Sequence, residues 1–312
     1  MKATAYFSNY LERVPLTGMV SGVRKLRLGC LLAAGFASMM ILGTACTQEP
    51  TGVKGEVYKA IKLMSVTNES QTAQMDQSFD YIKPLPNAEA LKYLCEWLSA
   101  KKATERRSAV YIINTLNWDD PSPAFAPLRA LLTHKEDTTR GMAALALGAI
   151  RDAGAYDTLV RLLADDPSAY TRRCVAFALG DMMNTDALVP LKAAKEKAFD
   201  PLVSGNIDNA VDRLTFLKEN EAAEGKAKAV VEGIWIIAGT APQQKERIER
   251  AMKCMNSADE ATRTQVYAKA IESPSQFVRN SVMFAALKNG ETIKVDEKDQ
   301  KYFDRIRNLV EK

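Results

Sequence analysis

Residues 139–152 read TRGMAALALGAIRD and residues 171–184 read TRRCVAFALGDMMN, so that Thr, Arg, Ala, Ala, Leu and Gly return at the same places thirty-two residues later. Counting from Arg140, small or apolar side chains fall at +3, +4, +7 and +10 (Ala143, Ala144, Leu147, Ile150), with Gly148 at +8. That spacing lays one stripe along an α-helix. From Arg172 the same columns hold Val175, Ala176, Leu179, Met182 and Gly180. They return from Ser204 as Ile207, Val211 and Leu214, with Asp208 and Asp212 now inside the pattern, and upstream from Arg106 as Ala109, Val110, Ile113 and Leu116, with Asn114 in the glycine column.

Each of the first three striped helices is followed by a second predicted helix: AFAPLRALLTH (124–134), AYDTLVRLLAD (155–165) and ALVPLKAAKEK (187–197), with Leu128, Leu159 and Leu191 in register. A lone helical hairpin of this composition cannot bury its apolar face. Stacking hairpins supplies the core, Ala and Gly permitting close backbone approach while Leu and Ile fill the gaps. The turns agree: Asp166-Pro167, Asp200-Pro201 and Ser273-Pro274 place a side-chain acceptor before a proline suited to the first helical position. Ser257-Ala258-Asp259-Glu260 fits a capping box.

Period, paired helices and the R..AA..LG signature resemble HEAT repeats, in particular the short bacterial HEAT-like kind also found in phycobilin lyases. The resemblance covers about residues 88–214 and departs from the pattern at Asn114 and Ser204, in end units that read as atypical capping repeats. It implies an all-α, right-handed α-solenoid of helical hairpins. In such families the arginine column, here Arg140 and Arg172, makes inter-repeat ladders with acidic turn residues, here Asp165 or Asp166. Gly148 and Gly180 are expected at the closest approaches between repeats.

Outside the repeats, KGEVYKAIKLMSV (54–66) reads as a short helix, TNESQTAQMDQ (67–77) as a polar loop, and AEALKYLCEWLSA (88–100) as an amphipathic helix. Beyond Leu214 helices are predicted at about 219–239, 241–255, 258–272, 275–288 and 297–311, with VEGIWIIAG (231–239) a buried helical segment. Degenerate HEAT-like units are expected there. The chain thus divides into a leader (1–45), a tether with a short helix (46–87), repeats (88–214) and a C-terminal helical region (215–312).

The leader carries Arg24, Lys25 and Arg27 before an uncharged run from Leu28 to Leu42, then Gly43, Thr44, Ala45 and Cys46. This is the three-part plan of a secretory signal. With cysteine at the boundary it resembles a bacterial lipoprotein signal, which implies a lipid on Cys46 and a cell-envelope address facing the periplasm or exterior; Thr47 in place of Asp favours the outer membrane. Gly43 stands where that family usually has Leu. Gly-Thr-Ala also suits ordinary secretory cleavage, and the stretch from Leu28 to Gln48 approaches the ~20 residues that span a bilayer. After Cys46, TQEPTGVKGE has no apolar periodicity and reads as a flexible tether.

The formal net charge of +4 sits in the leader. Residues 1–45 hold five basic side chains against Glu12 alone, leaving 37 of the 42 basic and 37 of the 38 acidic residues downstream. A phosphate-binding surface needs a local excess of Lys and Arg. Mixed-sign runs such as KKATERR (101–107) and QQKERIER (243–250) read instead as solvated helix faces, so no nucleic-acid partner is expected.

Cys30, Cys46, Cys95, Cys174 and Cys254 include no CxxC pair. His134 is the single histidine and falls in a predicted turn. No nucleophile motif, zinc motif or phosphate loop is visible. Asp119-Asp120 and Asp165-Asp166 occupy helix boundaries, where Asp is wanted for capping. Trp97, Trp118 and Trp235 read as packing residues. No cofactor, metal or catalytic residue is expected, and the function read here is a non-enzymatic, protein-binding scaffold or adaptor at the envelope. The alternatives are an exported, lyase-like enzyme acting on a small ligand, or a structural subunit of a membrane-associated complex.

Overall fold

The computed structural model describes residues 50–66, 72–240 and 244–311. The leader and Cys46 lie outside them. Among the described residues there are fifteen α-helices, three single turns of 3₁₀-helix and no strand.

The repeat helices α4 (Ala103–Thr115), α6 (Asp137–Ala149), α8 (Ala169–Asp181) and α10 (Pro201–Glu219) pack side by side in chain order. Their companions α5 (Ser122–Leu131), α7 (Tyr156–Asp165) and α9 (Leu188–Glu196) each pack on the helix that follows, forming a second row. One apolar core runs between the rows, from Val57 to Leu214, and includes Leu128, Leu147, Leu159, Leu179 and Leu191 with no solvent exposure. The stripe predicted from Arg140 and Arg172 is the face that lines it. This is the layered arrangement of helical hairpins that a stacked repeat requires.

Upstream, α1 (Gly52–Val66), α2 (Thr72–Ile82) and α3 (Asn87–Trp97) close the first end of the stack. Of the loop expected over 67–77, residues 72–77 are helical, because Thr72 already begins α2, and 67–71 lie outside the described residues. Phe79 and Ile82 are buried with Met75 packed beside them, so burial at the C-terminal end of α2 extends the helix back through a polar run.

Helix starts follow turn chemistry more closely than the Pro positions alone suggested. Asp200 caps α10 as expected, accepting from the backbone N–H groups of Leu202 and Val203. At the other two prolines the cap moves two residues on. Asp166 and Ser273 accept from the N–H of Ser168 and Ser275, and those serines cap α8 and α14 (Gln276–Lys288). Asp259, rather than Ser257, caps α13 (Glu260–Ala270). Its bonds from the Thr262 backbone and hydroxyl hold its carboxyl down at about 2.

The helix expected from about 219 begins at Gly225 instead. The chain turns over Asn220–Glu224, with Gly225 at φ +53°, a left-handed conformation that glycine adopts without steric cost. Then α11 (Gly225–Ala238) and α12 (Lys245–Met255) form a hairpin over a second apolar core of Phe216, Ile234, Trp235, Met255 and Val282. Helices α13, α14 and α15 (Gln300–Val310) complete this region.

The hairpin also reaches back over the repeats. Glu232 of α11 accepts from Arg151 (2.6 Å), Arg247 of α12 reaches Asp181, Glu246 pairs with Lys83 (3.1 Å), and Lys245 pairs with Asp76 (3.0 Å). Helix α12 therefore bridges from the end of α8 to the N-terminal helices.

Candidate functional site

The repeat helices have two polar ends, and the structure uses them differently. At their N-terminal ends lies the arginine column. Arg140 donates from Nε and Nη2 to the two carboxylate oxygens of Asp166 (2.7 and 2.9 Å), and from Nη1 to the carbonyl of His134 (2.8 Å). Arg172 donates to the carbonyl of Asp166 (2.5 Å), so both predicted arginines converge on one turn. Asp165, the other candidate, points to solvent.

Each column arginine also closes the turn before its own helix: Arg106 and Arg279 donate to the carbonyls of Ala100 and Ser273, six residues back. Their forks rest on Glu136 and Asp299 of later turns. Asp166 is pushed up by its burial but pulled down further by Arg140 and the Ser168 N–H, leaving it below its ordinary value.

Gly148 sits where a Cβ would lie 2.6 Å from Ala178 Cα and its carbonyl oxygen. At Gly180 a Cβ would meet Ala210 at 3.0 Å. Here the backbones of α6, α8 and α10 come closest. The arginine column marks the N-terminal ends of the repeat helices, whereas Gly148 and Gly180 stand one residue before the C-terminal ends of α6 and α8. His134 accepts at Nδ1 from the Glu136 N–H (3.1 Å) inside its turn. The described cysteines, Cys95, Cys174 and Cys254, are free thiols, and among the described residues no cluster of metal-ligating side chains occurs. Cys46 is outside the described residues.

At the C-terminal ends, α12 lies over the repeat turns and leaves two adjoining clefts, of about 320 and 240 Å³. Both are lined by Leu116, Asn117, Trp118 and Arg250, so they form one groove under α12. Trp118 is held in its turn by donation from Nε1 to the Ile113 carbonyl (2.9 Å), which sets its ring as an apolar floor. Lys83 and Lys253 line the first cleft with Glu246 and Glu249, and Lys83 is engaged by Glu246.

Arg250 is the unusual member. Its Nε is shielded from water and has no hydrogen-bond partner. Burial lowers its pKa to about 10, and Arg247 and Arg151 add to the effect, against partial relief from Asp181 and Glu232. A guanidinium so placed gains from an anionic group entering the groove.

The groove wall is fastened from beneath by a buried cluster. Asp181 accepts from Arg213 Nη2 (2.7 Å) and from Arg247 Nη1 and Nη2 (2.8 and 3.1 Å), with all three side chains almost wholly buried. The Arg213 guanidinium lies 4.4 Å from the Trp235 ring centre and donates from Nε to the Trp235 carbonyl. Gly239 makes room for it, since a Cβ there would sit 2.2 Å from Arg213 Cζ. Burial alone would push the Asp181 carboxyl up; Arg247 and Arg213 outweigh it and hold it low.

Burial corrects the reading of two charged runs. The mixed-sign runs KKATERR and QQKERIER are not simply solvated faces, because Glu105, Arg106 and Arg247 are buried. One signal was available: Asp181 and Arg213 both stand at +9 of their units, opposite charges in one column of adjacent repeats. Arg247 carries no such signal, 66 residues from Asp181.

Among known proteins, a family model described as HEAT repeats matches residues 91–180 and 125–205. No curated protein matches the sequence. Similar solved structures include two crystal structures titled as engineered proteins. One has 17% identity and a TM-score of 0.35, covering 82% of this chain and 72% of that one. The other has 15% identity and a TM-score of 0.31, covering 81% of this chain and 97% of that one. The family match falls on the helices whose register repeats from Arg106, Arg140 and Arg172, and the chain therefore carries HEAT repeats.

Proposed function

We propose that this protein is an envelope-associated lipoprotein that works as a non-enzymatic, protein-binding scaffold. It is moored through lipid on Cys46 and faces the periplasm or exterior, at the outer membrane. HEAT repeats generally serve protein interactions, which supports the scaffold reading. The leader supports the address. Among the described residues no helix is long and apolar enough to cross a membrane.

The observation that carries the reading is the groove under α12. Its floor is apolar at Leu116 and Trp118, its rim is polar, and Arg250 stands in it with no ion-pair partner among the described residues. An extended partner segment bearing an acidic side chain or a terminal carboxylate fits this chemistry. The test is cross-linking in intact envelopes followed by mapping of the cross-linked residues. The full chain should sediment with the envelope and cross-link to one partner from the groove residues. Cys46→Ala should move the protein to the soluble fraction. Arg250→Glu should leave it in the envelope and cut partner capture at least several-fold. Equal capture by Arg250→Glu would remove the groove from the scaffold's role.

A further inference from the structure

The structure shortens the tether that the sequence suggested. Helix α1 starts at Gly52, six residues after Cys46. At ~3.3–3.6 Å per residue even a fully extended connection reaches only about 20 Å. A lipid on Cys46 therefore brings one particular end of the stack against the membrane. That end is the one carrying α1 and α3.

Its chemistry is that of lysines set around aromatic rings. Pro50, where the described chain enters, lines a cleft of about 530 Å³ together with Lys54, Tyr58, Lys62, Trp97, Lys101 and Lys102. Lys54, Tyr58 and Lys62 follow at four-residue steps along one face of α1, and Tyr93 and Trp97 do the same on α3. The Tyr58 and Trp97 rings lie 6.0 Å apart, and the Lys62 ammonium is 5.2 and 5.4 Å from their centres. Lys54 and Lys92 flank the Tyr93 ring at 5.5 and 5.8 Å.

The carboxylates of the cleft are already engaged. Glu96 pairs with Lys54 (3.1 Å), and Glu105 with Lys62 (2.6 Å) and Lys102 (3.5 Å). Lys92 and Lys101 are exposed and, among the described residues, have no carboxylate partner. The cleft and its edge thus hold five lysines and three aromatic rings, and the two carboxylates that line the cleft are both paired.

Lysines are drawn to anionic headgroups, and Tyr and Trp settle at the level where headgroup meets acyl chain. We propose that the α1–α3 end of the solenoid is a lipid-contact face, seated on the anionic phosphate headgroups of the leaflet that holds Cys46. This rests on the lipid-anchored reading above. It adds that the protein is held at a fixed end rather than swinging on a leash, which leaves the remaining repeats pointing away from the bilayer.

The experiment uses the mature, full-length protein reconstituted in protein-free vesicles of phosphatidylethanolamine and phosphatidylglycerol. An amine-acetylating reagent is applied, and modification of each lysine is read by mass spectrometry against the same protein in detergent. Labelling of Lys92, Lys101 and Lys102 should fall at least several-fold in the vesicles, while the exposed Lys192 on α9 and Lys197 just after it should label as in detergent. Vesicles of phosphatidylcholine alone should give little protection. Equal labelling of all five lysines overturns the proposal, as does equal protection in phosphatidylcholine, which would reflect the short connection without charge recognition. Protection confined to native envelopes would also overturn it, since a protein would then be the cover. The mass of the N-terminal peptide reports lipid on Cys46 separately, so a missing lipid refutes the anchor and unprotected lysines on a lipidated protein refute the face.

Discussion

Helices α6 and α8 pack directly on each other, whereas α8 and α12 are joined through long side chains, so the two junctions are made by opposite means. Between α6 and α8 the contact is backbone against backbone at Gly148 and Ala178, with leucines filling either side. Between α8 and α12 the contact is a buried carboxylate gripped at both oxygens by Arg247, with Arg213 of α10 sharing Oδ1. The first kind of joint can be copied from unit to unit, because each new hairpin needs only the same small and apolar columns. The second is unique to one place, because a buried charge is tolerable only where its partners arrive with the right geometry. The repeats are thus an extendable stack, and the α11–α12 hairpin is a clasp fastened across it.

The comparison breaks most directly at Asp181. Asp181→Ala leaves two guanidinium groups buried without their carboxylate, and should cost about 3–5 kcal/mol. Denaturant unfolding with hydrogen exchange on α12 is the measurement; a loss below about 1 kcal/mol would mean that the clasp is not ionic. The same carboxylate gives the clasp an acid limit. Its folded-state pKa lies below the usual value near 4, so the stability it contributes is complete above that value and drains away as pH falls beneath it. Amides of α12 should lose protection as the pH is lowered beneath that value, read by hydrogen exchange across an acid titration.

In the arginine column, Arg140→Ala removes a two-pronged bond from a buried carboxylate and should cost about 1.5–3 kcal/mol by chemical denaturation. Gly148→Leu should cost about 1–3 kcal/mol as overpacking against Ala178, and an unchanged denaturation midpoint would contradict the close approach. The smallest effect sharpens the picture most simply: Asp165→Ala, at the exposed neighbour of Asp166, should stay within about 0.5 kcal/mol.

The candidate site was less legible than the stack. Trp118 and Arg250 looked like ordinary turn and helix-face residues, since neither has a periodic counterpart. They meet only because α12 runs back across turns that lie more than a hundred residues earlier in the chain. The early start of α2 and the late start of α11 have a related cause. In both places a polar or Ala-rich run follows its tertiary neighbours rather than its own propensity.

The amino-acid sequence by itself determined the hairpin repeat, its thirty-two-residue period and the faces that make its core, because a helix repeats its contacts at a fixed angular step and the small and large columns then dictate which face is buried. Tertiary structure alone decided where α12 lies, which charges are buried and which groove stays open. Those outcomes depend on distances between residues far apart in the chain, and helical periodicity carries no information about them.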